Sequence, residues 1–134
     1  MTYILDSSAI LRYTDNEAGA DRVEKILQDY LKGSAGIGIS SLHWGEVANK
    51  LYQLRGRQVM NNVLQRLAGL GIEVIPATAE QAVEAGLIRA DHKIPYVDAF
   101  GVVLVSASNH VFVTADFDLK PAAKFVRVEF LPTK

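Results

Sequence analysis

The sequence predicts an α/β fold in which a central, mostly parallel sheet of four to five strands lies between helices on both faces. Two observations carry this. Short apolar runs with strand character recur along the chain, and stretches with helical periodicity lie between them. The length of 134 residues and the hydrophobic fraction of 49% match one globular core, which hides roughly two-thirds of the surface its unfolded chain exposes. No repeat, low-complexity tract or linker divides the sequence, so residues 1–134 are expected to form one domain.

The elements follow in order. Tyr3-Ile4-Leu5 is a short apolar run ending at Asp6, and Ser7 to Leu11 reads as a helix start. Val23, Ile26, Leu27, Tyr30 and Leu31 recur at spacings of three and four, the pattern of an amphipathic helix that Gly33 stops. Ile37-Gly38-Ile39 is a second strand, followed by N-cap chemistry at Ser40-Ser41. Leu42 to Leu54 carries Trp44, Val47, Ala48, Leu51 and Leu54 on one helical face. Gly56 breaks that helix, and Met60 to Leu70 marks another, ended by Gly69 and Gly71. Ile72 to Ile75, before Pro76, is a third strand. Thr78 and Gln81 have the spacing of a capping box and open a helix containing Val83, Leu87 and Ile88. Val97 to Ala107 is ambiguous, since its β-branched valines suit a strand while its length and the preceding Pro95 suit a helix, the preferred reading. Val111 to Thr114 and Phe125 to Val128 are the last two strands.

Charge and composition narrow the function. Fourteen basic against fifteen acidic residues leave a net charge of −1, so the chain lacks a globally basic, nucleic-acid-binding balance. The absence of cysteine removes disulfides, thiolate nucleophiles and Cys-ligated zinc. Met1 to Asp6 has no basic n-region or long apolar stretch, and Ala99 to Val105, the longest apolar run, is far short of the ~20 residues of a membrane span. A cytoplasmic protein without a membrane partner is expected.

The informative residues are carboxylates. Ligands of open α/β sheets gather beyond the carboxyl ends of the strands. Asp6 follows the first strand, and Asp116, with Asp118 two residues on, follows the strand ending at Thr114. Glu46 lies in the first turns of the helix leaving the second strand, and Asp98 lies near the start of its own helix. Singly, each has a plain structural explanation as a cap, a first-turn acid or an Asx-turn residue. Together they form a cluster that repels itself unless a cation neutralises it. Oxygen-only ligation suits Mg²⁺ or Mn²⁺, which points to metal-dependent phosphoryl chemistry on a phosphodiester. With those four acids set aside, 11 acids face 14 bases, a balance of +3.

At these residues the chain resembles the PIN-domain ribonucleases, and closely the VapC-type toxins of toxin–antitoxin pairs. Leu5-Asp6-Ser7-Ser8-Ala9-Ile10-Leu11 is similar to the family's opening strand and first acid. Ser40 to Val47 is similar to the segment bearing its Glu, and Ile94-Pro95-Tyr96-Val97-Asp98-Ala99-Phe100 to its Pro-Tyr-x-Asp-Ala signature. Thr114-Ala115-Asp116-Phe117-Asp118-Leu119 resembles the closing Thr-Gly-Asp block, with Ala115 for the usual Gly and Leu119 for the usual aromatic. The resemblance implies a PIN-like three-layer α/β/α sandwich with Val97 to Ala107 helical. It implies catalytic Asp6, Glu46, Asp98 and Asp116, with Asp6, Asp98 and Asp116 holding Mg²⁺ or Mn²⁺, and auxiliary Asp118, Thr114 and Ser8. Endonucleolytic cleavage of RNA, a cognate antitoxin and a homodimer are further implications.

Other residues are weighed on their own. Arg12, Lys50, Arg55 and Arg57 are candidate RNA contacts, with Arg66 near the same inter-helix turn; most such groups are solvated surface. His43, His92 and His110 are too dispersed for a metal pattern, and His43 reads as a surface or partly buried residue. Trp44 and Tyr52 read as packing residues, with a dimer interface as the alternative for an aromatic on this helix pair. Gly101, unusual within these helices, suggests close packing. Two rival functions are a phosphoacceptor receiver-like domain and a catalytically inactive PIN-like binding module. Against the first, no adjacent acidic pair precedes the first helix and no Lys stands at the expected strand end.

Overall fold

In the computed structural model, which describes residues 1–107 and 109–133, one sheet is built from β1 (Thr2–Leu5), β2 (Gly36–Ser40), β3 (Glu73–Ile75), β4 (His110–Thr114) and β5 (Val128–Phe130). Its order is β3-β2-β1-β4-β5, and every pairing is parallel. Parallel strands require crossovers, which are supplied by α1 (Ser7–Thr14), α2 (Ala20–Leu31), α3 (Ser41–Gly69), α4 (Ala79–His92) and α5 (Tyr96–Ser106). A 3₁₀ segment, Phe117–Lys124, links β4 to β5.

The strands alternate between two cores, which fixes the three layers. Leu5, Ile37, Ile39, Val111 and Val113 meet α1, α2 and α3 through Ile10, Val23, Ile26, Val47 and Leu51. Ile4 and Phe112 point the other way, onto Ala99, Phe100, Val102 and Val103 of α5 with Leu119 of the 3₁₀ segment. Neighbouring residues of one strand thus serve opposite layers, the α/β/α arrangement expected.

The helix signals act as read. Ser40 caps α3 by accepting the His43 N–H, and Thr78 with Gln81 forms a complete capping box on α4. α3 is broken at Gly56, whose φ of 85° and ψ of 174° leave helical space, so its two arms match the two helices read from the sequence. Val97 to Ser106 is helical and Ala107 is the C-cap, the helix being entered through Pro95. The fifth strand needs correction: it is Val128–Phe130, not Phe125 to Val128. Phe125 closes the 3₁₀ segment with its ring 4.5 Å from that of His92, and the ladder begins only where Phe112 pairs with Val128. Among the described residues, no helix is long and apolar enough to cross a membrane.

Candidate active site

With all strands parallel, the carboxyl ends of β1, β2 and β4 share one edge of the sheet, and α5, which runs back along the sheet to enter β4, starts there too. Asp6 follows β1 directly and is buried, 2% exposed. Its Oδ1 accepts the Ala9 N–H at 2.9 Å, capping α1, and the Ser8 hydroxyl at 2.7 Å. Its Oδ2 accepts the Thr114 hydroxyl at 2.5 Å. Three of roughly four lone-pair positions are therefore filled, and Oδ2 keeps one. Burial pushes the Asp6 carboxyl above its ordinary 3.8, against the opposing pull of the Ser8, Thr114 and Ala9 hydrogen bonds.

Two hydroxyls knit this edge. Ser8 donates to Asp6 and accepts the Ala115 N–H at 2.9 Å, while Thr114 donates to Asp6 and accepts the Asp116 N–H at 2.9 Å. Asp116 is half-buried and caps the 3₁₀ segment by accepting the Asp118 N–H at 2.9 Å; the Asp118 side chain is exposed. Glu46, exposed on the second turn of α3, accepts the Ser7 hydroxyl at 2.8 Å. Asp98, in the first turn of α5, is half-buried and lies 3.0 Å from His43 Nε2. Among the described residues, no Lys or Arg pairs with Asp6, Glu46, Asp98 or Asp116.

A divalent cation fits this donor chemistry: four carboxylates from separate segments share one rim without a cationic partner, and the buried one has a free lone pair. Among the described residues, no three of these side chains converge as a ready-made chelating set. Mg²⁺ commonly keeps several of its waters, so such a rim can serve it without enclosing it.

Local sequence missed two residues here. His43 is wholly buried, correcting the surface or partly buried reading, and its Nδ1 lies 2.9 Å from Ser40 Oγ. Ser7 holds Glu46. A usable signal for His43 was its place three residues after the capping Ser40, at a strand end. The basic residues do not act as one group. Arg12 donates to the Ala18 carbonyl, Arg55 pairs with Asp15 at 2.9 Å, and the Arg57 guanidinium lies 5.3 Å from the Tyr52 ring centroid. Arg12 and Lys50 line a cleft of about 330 Å³ that includes Ser8. Trp44 packs on the core, whereas Tyr52 is exposed in the single chain.

Residues 3–125 match the PIN domain family. The chain belongs to that family. PIN domains are nuclease domains, and this one has the fold of solved VapC structures. VapBC2 from Rickettsia felis, crystallised on a DNA fragment from its promoter, aligns with a TM-score of 0.77 at 16% identity, over 98% of this chain and 100% of that one. VapC20 of Mycobacterium tuberculosis, described as a sarcin–ricin loop cleaving toxin, aligns with a TM-score of 0.70 at 16% identity, covering 97% and 99%. DNA-bound VapBC from Salmonella typhimurium gives 0.70 at 19% identity, covering 97% and 98%. No curated protein sequence matches the chain.

Proposed function

We propose that this PIN domain, residues 1–134, is a Mg²⁺- or Mn²⁺-dependent endoribonuclease acting as the toxin of a type II toxin–antitoxin pair. The observation that carries the reading is that Asp6, Glu46, Asp98 and Asp116 all stand at the carboxyl edge of the sheet, braced by Ser7, Ser8 and Thr114 and unpaired with any Lys or Arg among the described residues. Toxin–antitoxin complexes among the structures of like fold support a cognate antitoxin for this chain; a homodimer and a cytoplasmic setting are further parts of the proposal.

Asp6, Asp98 and Asp116 are the residues that would hold the cation. A bound divalent ion supplies neutralising charge for the phosphodiester and makes water a stronger nucleophile. Asp6 enters that role pre-set, since Ser8 and Ala9 fix one oxygen and Thr114 fixes the direction of the other. Glu46, exposed and steadied by Ser7, orients the attacking water and takes its proton. Asp118 stands beside Asp116 as an auxiliary acid. Lys50, one turn beyond Glu46 on α3, and Arg12 across the cleft receive the RNA phosphates.

The test is cleavage of total RNA by purified protein with Mg²⁺, compared with Asp6→Asn, Glu46→Gln and chelator. Loss of cleavage in all three, with folding retained, is expected; full activity in chelator contradicts the reading. The receiver-like alternative fits poorly, because receivers place β1 between β2 and β3, whereas β1 here lies between β2 and β4. An inactive binding module gives no reason for all four acids to be present.

A further inference from the structure

We propose that His43 is the positioning residue for Asp98: an imidazole carrying a proton on Nε2 that holds one carboxylate oxygen of Asp98 and leaves the second unclaimed for the cation. The role rests on the nuclease reading above. It follows from three contacts that lock one ring.

The first sets the tautomer. Ser40 Oγ accepts the His43 backbone N–H at 3.0 Å and also lies 2.9 Å from the ring's Nδ1. A serine has one proton to donate, and both groups are buried, so that hydroxyl proton finds its partner at Nδ1. Nδ1 is then an acceptor and the ring proton sits on Nε2, which lies 3.0 Å from Asp98 Oδ1. The opposite tautomer would set a nitrogen lone pair against the carboxylate and strand the serine proton.

The second contact fixes the ring plane. Phe112 of β4 lies against it, with centroids 6.1 Å apart. The third makes room. Gly101 follows Asp98 by three residues on α5, and a Cβ there would stand 2.4 Å from Phe112 Cε1 and 3.3 Å from His43 Cε1. Bare backbone at that point lets both rings seat against α5. α3, β4 and α5 thus enclose one imidazole.

Asp98 needs such a partner. α5 enters through Pro95 with no side-chain cap, so free N–H groups of its first turn compete for a nearby carboxylate. Holding Oδ1 at His43 selects the orientation that serves the shared edge of the sheet. Partners that orient ligating carboxylates are worth about 10–100-fold in metal affinity.

The experiment uses ¹⁵N-labelled full chain without metal, then Mn²⁺ titration by calorimetry and cleavage kinetics for wild type, His43→Leu and His43→Gln. Expected are an Nε2–H tautomer with a slowly exchanging proton in the wild type, and an about 10-fold or greater loss of Mn²⁺ affinity in His43→Leu. A lower kcat at unchanged KM for RNA, and rescue by the amide donor of His43→Gln, are expected as well. An Nδ1–H tautomer overturns the role even if His43→Leu fails to fold. Wild-type Mn²⁺ affinity in a folded His43→Leu overturns it while leaving the nuclease reading intact. Wild-type protein that neither binds Mn²⁺ nor cleaves RNA overturns that reading, and this role with it.

Discussion

Thr114 Oγ1 donates to Asp6 Oδ2 at 2.5 Å across 108 residues of sequence, while accepting the N–H of Asp116. One hydroxyl therefore ties the ends of two adjacent parallel strands and sets the spacing of two acids. Thr114→Val keeps the shape and removes both bonds, leaving the Asp116 N–H and an Asp6 oxygen without partners. A loss of about 1–3 kcal/mol is expected in urea unfolding, with weakened cleavage, and Thr114→Ser should recover most of both. Equal stability in Thr114→Val and wild type would contradict the bond's importance.

Asp6 should make the protein less stable when metal is absent. Its pKa is raised by burial, so the folded state holds the Asp6 proton more tightly than the unfolded chain does. The stability this contributes is complete below pH 3.8 and is lost as pH rises through the raised folded value. Asp6→Asn, which can still cap α1, should unfold at a higher temperature than wild type near pH 7 in chelator, with the gap closing toward pH 4. Thermal melts across pH check this. A variant less stable than wild type at every pH would be inconsistent with it.

Divalent cation should reverse that order. Saturation at 100 times Kd stabilises a folded protein by about 2.7 kcal/mol, so Mn²⁺ should raise the wild-type melting temperature and leave Asp6→Asn or Asp98→Asn nearly unmoved. Cleavage in Asp98→Asn and Asp116→Asn should fall about 10²–10³-fold. Parallel melts and gel-based cleavage with and without chelator measure both effects.

Gly101→Ala should break a general rule. Within an exposed helix, glycine to alanine gains about 1 kcal/mol. Here the added carbon meets Phe112 at 2.4 Å in a closed core, and overpacking costs about 1–3 kcal/mol. Destabilisation in chemical denaturation is expected; a stabilised variant would mean that Phe112 can yield.

Lys50 and Arg55 should separate in binding. Lys50 faces the cleft shared with Ser8 and Arg12, whereas Arg55 is engaged with Asp15. Lys50→Ala, in an Asp98→Asn background assayed in chelator to suppress residual cutting, should weaken RNA binding and lower the salt slope by about 0.7, one single-strand phosphate contact. Arg55→Ala should leave the slope unchanged. Fluorescence anisotropy at several salt concentrations tests the pair.

Much of this architecture is legible in the sequence because it is local. Ser40, Thr78 with Gln81, Pro95 and Gly56 act where they stand, and the strand ends deliver Asp6 and Asp116 to the edge that parallel topology dictates. Asp6 also shows that capping and a place at the site are compatible, since one oxygen caps α1 while the other meets Thr114. The misreadings arose where partners are distant. His43 is buried by Asp98 and Gly101, more than 50 positions away, and no nearby pattern announces them. β5 is displaced because Phe125, Val126 and Val128 share strand composition, and only the ladder to β4 chooses among them.

The central place of β1 also governs when this chemistry can first exist. β1 is made first but borders β4, so the Asp6 N–H has no Val113 carbonyl, and its carboxylate no Thr114 hydroxyl, until residues 110–114 have docked. Contacts of such long sequence separation form late, and a parallel sheet has no local hairpin to hasten them. During synthesis, a chain that has not yet delivered residues 110–116 has an open edge on β1 and lacks Asp116. The ribosome releases Asp116 only 110 positions after Asp6, so the topology delays assembly of the site until both ends of that span have emerged.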